Sequence, residues 1–155
     1  MPSELLVRSA AAEDAEALAT LFLSAREAAY PAIPRPVHPP DDVRRWVRSW
    51  FTERGSEVWL AEEDGEPVAL LLVEDDWLHS LYVRPGRTGE GIGSLLLDVA
   101  KSLRAGGLGL WVFQSNDGAR RFYARHGFVE VRRTDGTGPD GNEEQEPDIE
   151  MAWRP

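Results

Sequence analysis

Between Trp77 and Leu97 an apolar run, Trp77-Leu78-His79-Ser80-Leu81-Tyr82-Val83, leads into Arg84-Pro85-Gly86-Arg87-Thr88-Gly89-Glu90-Gly91-Ile92-Gly93. The helix-forming segment Ser94-Leu95-Leu96-Leu97 follows. A strand, a glycine-rich turn and a helix start, in that order, suit the capture of an anion. The first N–H groups of a helix have no partner inside it, and the helix dipole adds partial positive charge there. Glycines let the main chain approach a phosphate with no Cβ in between. The chemistry to look for is therefore the binding of a phosphate-bearing cofactor. A tight strand-to-helix turn with no ligand would use the same glycines.

Three cofactor classes use such a turn. A nucleoside-triphosphate loop requires Gly-x-x-x-x-Gly-Lys-Ser/Thr. Gly86 and Gly91 have that spacing, but Ile92 stands where the lysine must be. A dinucleotide turn requires Gly-x-Gly-x-x-Gly. Gly91 and Gly93 are followed at the third glycine position by Leu96. The third class is the pyrophosphate of coenzyme A. The segment from Val83 to Gly93 resembles the cofactor loop of the GNAT superfamily of N-acyltransferases, Val-x-Pro-x-x-Gln/Arg-Gly-x-Gly-Ile-Gly, ahead of a leucine-rich helix. Thr88 departs from the pattern at the Gln/Arg position, and Arg87 supplies a positive side chain one place earlier. A second segment, Asn116-Asp117-Gly118-Ala119-Arg120-Arg121-Phe122-Tyr123-Ala124-Arg125-His126-Gly127-Phe128, is similar to that family's Asn-x-x-Ala-x-x-Phe-Tyr-x-x-x-Gly-Phe. Together the two segments carry the resemblance over residues 57–128.

The resemblance implies an acetyl-CoA-dependent N-acetyltransferase acting by direct attack of a primary amine in a ternary complex. It implies that the main chain of Gly89, Glu90, Gly91, Ile92, Gly93 and Ser94 holds the phosphates, with Arg87 and Thr88 alongside. Leu81 and Val83 would offer main-chain contacts to the pantetheine arm and acetyl carbonyl, and Asn116 a contact to the arm. Core packing for Leu81 and Val83, and helix capping for Asn116, are the plainer readings. Tyr123 would protonate the departing thiolate. A phenol with a reference pKa of about 10 keeps its proton at neutral pH, as an acid must; a packing aromatic beside Phe122 is the alternative. Many relatives carry a carboxylate four residues before the valine. Here that position is His79, and an imidazole with a reference pKa of about 6.5 can take a proton directly or through water. Asp75, Asp76 and Glu57 are fallback bases, and an amine arriving neutral would need none. The rival reading is a non-catalytic acyl-CoA-binding sensor or interaction module of the same fold. Thr88 favours it mildly and Tyr123 argues against it.

Composition narrows the partners. With 17 Lys+Arg against 27 Asp+Glu, the 155-residue chain has a formal charge of −10. Such a chain repels nucleic acid and anionic membrane surfaces. It suits a cationic acceptor such as a polyamine, an aminoglycoside or a lysine side chain. It also repels a polyanionic cofactor at long range, so the loop must work through short-range donors. The absence of cysteine excludes disulfides, thiolate metal sites and cysteine nucleophiles. No metal site is expected. No apolar run approaches the ~18 residues of a membrane span, and no leader pattern opens the sequence, so a cytoplasmic location is expected. Six tryptophans could leave apolar surface for a homodimer.

The elements that must position these groups read as one domain over residues 1–155. Strands are expected at residues 5–9, 57–62, 66–73, 77–83, 109–113, 128–133 and 148–153. Asp64-Gly65 between two apolar runs signals a hairpin. The run at 66–73 is apolar throughout and so should be covered on both faces. Helices are expected at residues 11–29, from Asp41 to a stop at Gly55, at 93–103 and from the cap at Asn116 or Asp117 to His126. Ile92, Leu95, Leu96 and Val99 are the expected buried stripe of the third helix. Five prolines between positions 31 and 40 forbid regular helix there. That loop holds Tyr30, Arg35 and His38, the candidate acceptor-binding residues. Residues 135–147, rich in glycine and acid with no apolar anchor, are expected to form a mobile loop. The order β-α-α-β-β-β-α-β-α-β-β means a mixed sheet with helices on its faces, an α/β fold. The resemblance adds that the two central parallel strands, 77–83 and 109–113, splay apart to admit the cofactor arm.

Overall fold

The computed structural model describes residues 4–155. Seven strands and four helices occur in the expected order. They are β1 (Leu5–Ser9), α1 (Ala15–Ala29), α2 (Pro40–Ser49), β2 (Ser56–Glu63), β3 (Glu66–Glu74) and β4 (Trp77–Val83). After these come α3 (Ile92–Leu103), β5 (Leu108–Phe113), α4 (Asp117–Arg125), β6 (Val129–Thr134) and β7 (Asp148–Trp153). One mixed sheet runs β1-β2-β3-β4-β5-β7-β6. Every neighbouring pair is antiparallel except β4 with β5.

Local chemistry explains most boundaries. Asp64 and Gly65 both take left-handed φ, 55° and 79°, which the two-residue turn between twisted strands requires. β3 is buried from Pro67 to Val73, the pattern of a strand covered on both faces. Asp14 carries the start of α1: it accepts from the Ala11 N–H at 2.8 Å and from Arg8 at 2.9 Å. A single 3-10 turn, Ala12–Asp14, precedes the helix. Gly127, at φ 89°, ends α4 in the left-handed region.

Three expectations are corrected. α2 stops at Ser49 rather than at Gly55; Trp50, 2% exposed, caps it and anchors the turn that follows. The buried face of α3 is Ile92, Leu96, Leu97 and Ala100, while Leu95 is 46% exposed. The helix is rotated so that the small Ala100 lies inward, which lets its backbone approach β3. Residues 135–147 form a folded loop held by its own polar groups. Asn142 donates to the Glu146 carbonyl at 2.6 Å and to the Asp148 carboxylate at 3.0 Å, and accepts from the Glu146 N–H at 3.1 Å. A Cβ on Gly136 would lie 1.9 Å from the Glu146 carbonyl oxygen, so this packing admits only glycine.

Two cores sandwich the sheet. On one face α1 and α2 pack Leu18, Phe22, Val43, Val47 and Trp50 against Val58, Leu60, Leu70 and Leu72. On the other, Leu96, Leu97, Ala100, Tyr123 and Phe128 pack against Ala69, Leu71, Val73, Leu108, Leu110 and Ile149. Edge-to-face rings tie α1 and α2 to β4. Phe22 meets Tyr82 at 5.0 Å and Trp46 at 5.4 Å, and Trp46 meets Trp50 at 5.0 Å. Such pairs add about 0.5–1.5 kcal/mol each beyond the area they bury. They fix the wall that faces the central strands.

Candidate active site

β4 and β5 pair at a single register position, Trp77 opposite Gly109, where the Gly109 N–H donates to the Asp76 carbonyl at 2.9 Å. β4 then runs on to Val83 and β5 to Phe113 without further pairing. A bulge on β4 accompanies the divergence. Leu72 faces Ser80 and Val73 faces Leu78, so His79 is the extra residue. A bulge bends its strand and re-aims the side chain it carries. Here it presents the exposed His79 ring 5.5 Å from Trp46, with Nδ1 3.1 Å from the Ser80 hydroxyl.

At the far end of β4 lies the glycine loop. Gly86, Gly89 and Gly91 take φ of 88°, 81° and 85°. A Cβ built on any of the three would meet nothing within 4 Å, so the concave backbone opens to solvent rather than to packed protein. Gly91 is the N-cap of α3, and the first intrahelical bond runs from Leu95 N–H to the Gly91 carbonyl at 3.2 Å. The N–H groups of Ile92, Gly93 and Ser94 therefore stand ahead of the helix ladder, where the dipole is positive. Left-handed glycines ahead of such donors are the chemistry a diphosphate needs, and coenzyme A carries one. The residues present fit that group.

The side chains around the loop are differently committed. Arg87 makes two 3.0 Å bonds to Glu63 and further bonds of 3.0 and 3.2 Å to Glu90. Those carboxylates, Glu63 first, raise its pKa further. It clamps the loop to the β2–β3 hairpin and is not a free cation. Thr88 is exposed. Ser94 Oγ lies 3.1 Å from His126 Nε2. Leu81 and Val83 are half-buried against the α3–α4 core. A Cβ on Gly93 would lie 3.5 Å from the Phe122 ring and 3.7 Å from Val83, so α4 packs directly against the loop and the end of β4. Asn116 caps α4, its Oδ1 accepting from Ala119 N–H at 3.3 Å.

Tyr123 is 8% exposed, with ring contacts to Phe122 at 5.2 Å and Phe128 at 5.4 Å. Burial, and to a lesser degree the nearby Tyr82, raises its pKa well above the ordinary phenol value. It is an aromatic of the core and a protonated phenol at once.

The cleft opposite has a volume of about 820 Å³. His79, Ser80 and Tyr82 line it from β4, Trp111 and Phe113 from β5, and Phe22 and Arg26 from α1. Asp42 and Trp46 line it from α2, and residues 142–144 from the β6–β7 loop. Of the three acceptor candidates in the proline-rich loop, only His38 reaches it. Tyr30 and Arg35 stack on each other, the guanidinium 4.3 Å from the ring. One fallback base is committed elsewhere: the Glu57 carboxylate accepts from Arg104 at 2.6 Å, and the same guanidinium donates to the main-chain carbonyl of Asp75. Arg104 caps the far end of α3, twelve residues and so about 18 Å from the glycine loop. Arg26, Trp46, Tyr82, Trp111 and Phe113 line the cleft with no motif in the sequence that assigns them to a site. Strand alternation puts Trp111 and Phe113 on the face opposite Leu110 and Val112, a signal present in the sequence. No cluster of His, Cys, Asp and Glu among the described residues could hold a metal ion. No helix among them is long and apolar enough to cross a membrane.

Residues 16–128 match the acetyltransferase (GNAT) family. Over 118 residues the chain is 33% identical to an uncharacterized N-acetyltransferase of Archaeoglobus fulgidus, a match covering 66% of this chain and 77% of that one. Over 79 residues it is 34% identical to the peptidyl-lysine N-acetyltransferase YjaB of Salmonella typhimurium, covering 50% and 54%. The chain spans only about half the length of several such relatives, between 45% and 55%. In fold it is similar to the PaiA N-acetyltransferase of Thermoplasma acidophilum in complex with coenzyme A, with a TM-score of 0.71 over 98% of this chain and 99% of that one at 18% identity. With the glycine loop, the diverging strands and the family match in agreement, the chain belongs to the GNAT acetyltransferase family.

Proposed function

We propose that this chain transfers an acetyl group from acetyl-CoA to a primary amine of a small molecule or peptide. The observation that carries the reading is the open run of left-handed glycines at the start of α3, at the end of β4 away from its one pairing with β5. The main chain of Gly89 to Ser94 would bind the cofactor's diphosphate. Leu81, Val83 and Asn116 would flank its extended arm, with unpaired strand backbone supplying donors and acceptors. Arg87 acts through the loop by holding Glu63 and Glu90, and Thr88 adds no charge. Bound acetyl-CoA supplies an activated acyl thioester.

The net exchange forms a C–N bond as a C–S bond breaks; nitrogen loses a proton and sulfur gains one. Tyr123, held as a protonated phenol by its burial, is assigned the proton donated to sulfur. His79, or water held by it, is assigned the proton taken from nitrogen. The peptidyl-lysine specificity in the name of the Salmonella relative supports a primary amine as acceptor. A thiol-release assay with acetyl-CoA and a panel of amines tests the reading. Release with at least one amine, lost in Tyr123→Phe while coenzyme A still binds, is the expected result. Calorimetric binding of coenzyme A without release on any amine would make the chain a sensor of acyl-CoA instead.

A further inference from the structure

We propose, building on the transferase reading, that the cleft selects a primary amine carrying one positive charge on a flat aromatic body. Polyamines, aminoglycosides and basic peptides are disfavoured. The charges of the walls are the first ground. Three carboxylates line the cleft, and each already has a partner. Glu144 takes Arg26 at 3.3 Å, Glu143 takes the His38 ring at 2.8 Å, and Asp42 takes Arg45. Arg26, only 7% exposed, leaves a buried cation in the wall. Each carboxylate thus has one hydrogen-bond partner, that of Glu143 being a cation only when His38 is protonated. Arg26 sets a repulsive point in the wall for an acceptor with several ammonium groups.

The second ground is the aromatic lining. Trp77 and Trp111 lie nearly parallel, 12° apart with centroids at 6.5 Å, and remain 38% and 43% exposed at the cleft mouth. Phe113 and Trp46 continue the same surface inward. The two tryptophans, one on β4 and one on β5, offer stacking area to a planar group beside the cavity, with Arg132 already 5.1 Å from the centre of the Trp111 ring. The third ground is placement. Trp77 and His79 line the same cleft from β4, and the bulge brings the imidazole to 5.5 Å from Trp46. A ring held by the aromatic lining therefore has its amine on the wall that carries the imidazole.

The test uses acetyl-CoA-dependent thiol release with phenethylamine, tryptamine, spermidine, kanamycin and a lysine peptide. Alongside it, tryptophan fluorescence of the coenzyme A-loaded protein is titrated with phenethylamine. The expected result is a kcat/KM for the two aryl amines at least tenfold above the others. Trp111→Ala should lose that preference through KM, and Trp111→Phe should restore it. Fastest turnover of spermidine, kanamycin or the peptide overturns the inference and leaves the transferase reading standing. Release with none of the five, but a saturable fluorescence change that Trp111→Ala abolishes, supports the aromatic subsite and removes the transferase reading. Absence of both signals overturns both.

Discussion

The glycine loop and the aromatic cleft lie at different parts of β4, and they are built in opposite ways. The loop is contiguous in sequence and works through the main chain: three left-handed glycines and the N–H groups that open α3. Its one nearby cation, Arg87, serves the architecture. The cleft draws its walls from five separate segments and works through side chains whose charges are already paired. A site made of backbone needs only a local conformation. A site made of side chains needs the whole fold in place.

That contrast can be broken first at Tyr123, the residue assigned to the departing thiolate. Tyr123→Phe keeps the ring and its packing but removes the hydroxyl. We expect kcat to fall by about 100- to 1000-fold, the range of a lost general acid, with coenzyme A affinity within about twofold by calorimetry. A kcat near wild type would return Tyr123 to a packing role.

On the loop side alone, Gly91→Val forces a β-branched residue to φ 85°. Left-handed strain of about 1–2 kcal/mol and displaced donors should together weaken coenzyme A binding by about 100-fold. Acceptor affinity, read by fluorescence, should be unaffected. Tight binding by the variant would mean that side chains hold the phosphates.

On the cleft side alone, His79→Ala should lower kcat by about 100-fold near neutral pH, where the imidazole can accept a proton. The deficit should close in a pH–rate profile as the amine arrives already neutral. Identical profiles would exclude His79 from proton transfer. Arg87→Gln sharpens the distinction between binding and bracing. If Arg87 only braces the loop, coenzyme A affinity falls by about threefold, whereas a direct phosphate contact would cost more and give a steeper salt dependence.

The smallest effect lies far from both regions. Arg8, through its hydrogen bonds, holds the Asp14 carboxyl below the usual range. A carboxylate whose folded pKa is depressed binds fewer protons folded than unfolded. Its contribution is therefore complete above the unfolded value of about 3.9 and is lost as pH falls through the lower folded value. Asp14→Asn should cost about 0.5–1 kcal/mol at neutral pH after screening by solvent. It should also flatten the acid limb of a denaturation curve, and an unchanged limb would assign acid sensitivity to other carboxylates.

Much of the fold was legible because its signals are local. The Asp64-Gly65 turn, the fully apolar β3 and the left-handed Gly127 each express one conformational preference. The errors fell where packing decides. Gly55 looked like the stop of α2, but the burial of Trp50 ends that helix earlier. The 135–147 segment looked mobile because it has no apolar anchor, yet Asn142 and two tightly packed glycines fold it by polar contacts alone. In the candidate site, the glycine loop and Tyr123 stand out in the sequence because both lie in contiguous motifs. Tyr30 and Arg35 could not be judged, since their stacking on each other depends on where the proline-rich loop lies.

By itself the sequence determined the order of elements, the glycine loop and the family, because each rests on neighbours in the chain and on what a short stretch of backbone can adopt. The tertiary structure alone decided that Arg87 is spent on Glu63, that His79 is turned out by a bulge, and that the carboxylates lining the cleft are paired. Asp42–Arg45 apart, the pairings join side chains 24 to 118 positions apart in the chain, a separation no local pattern encodes.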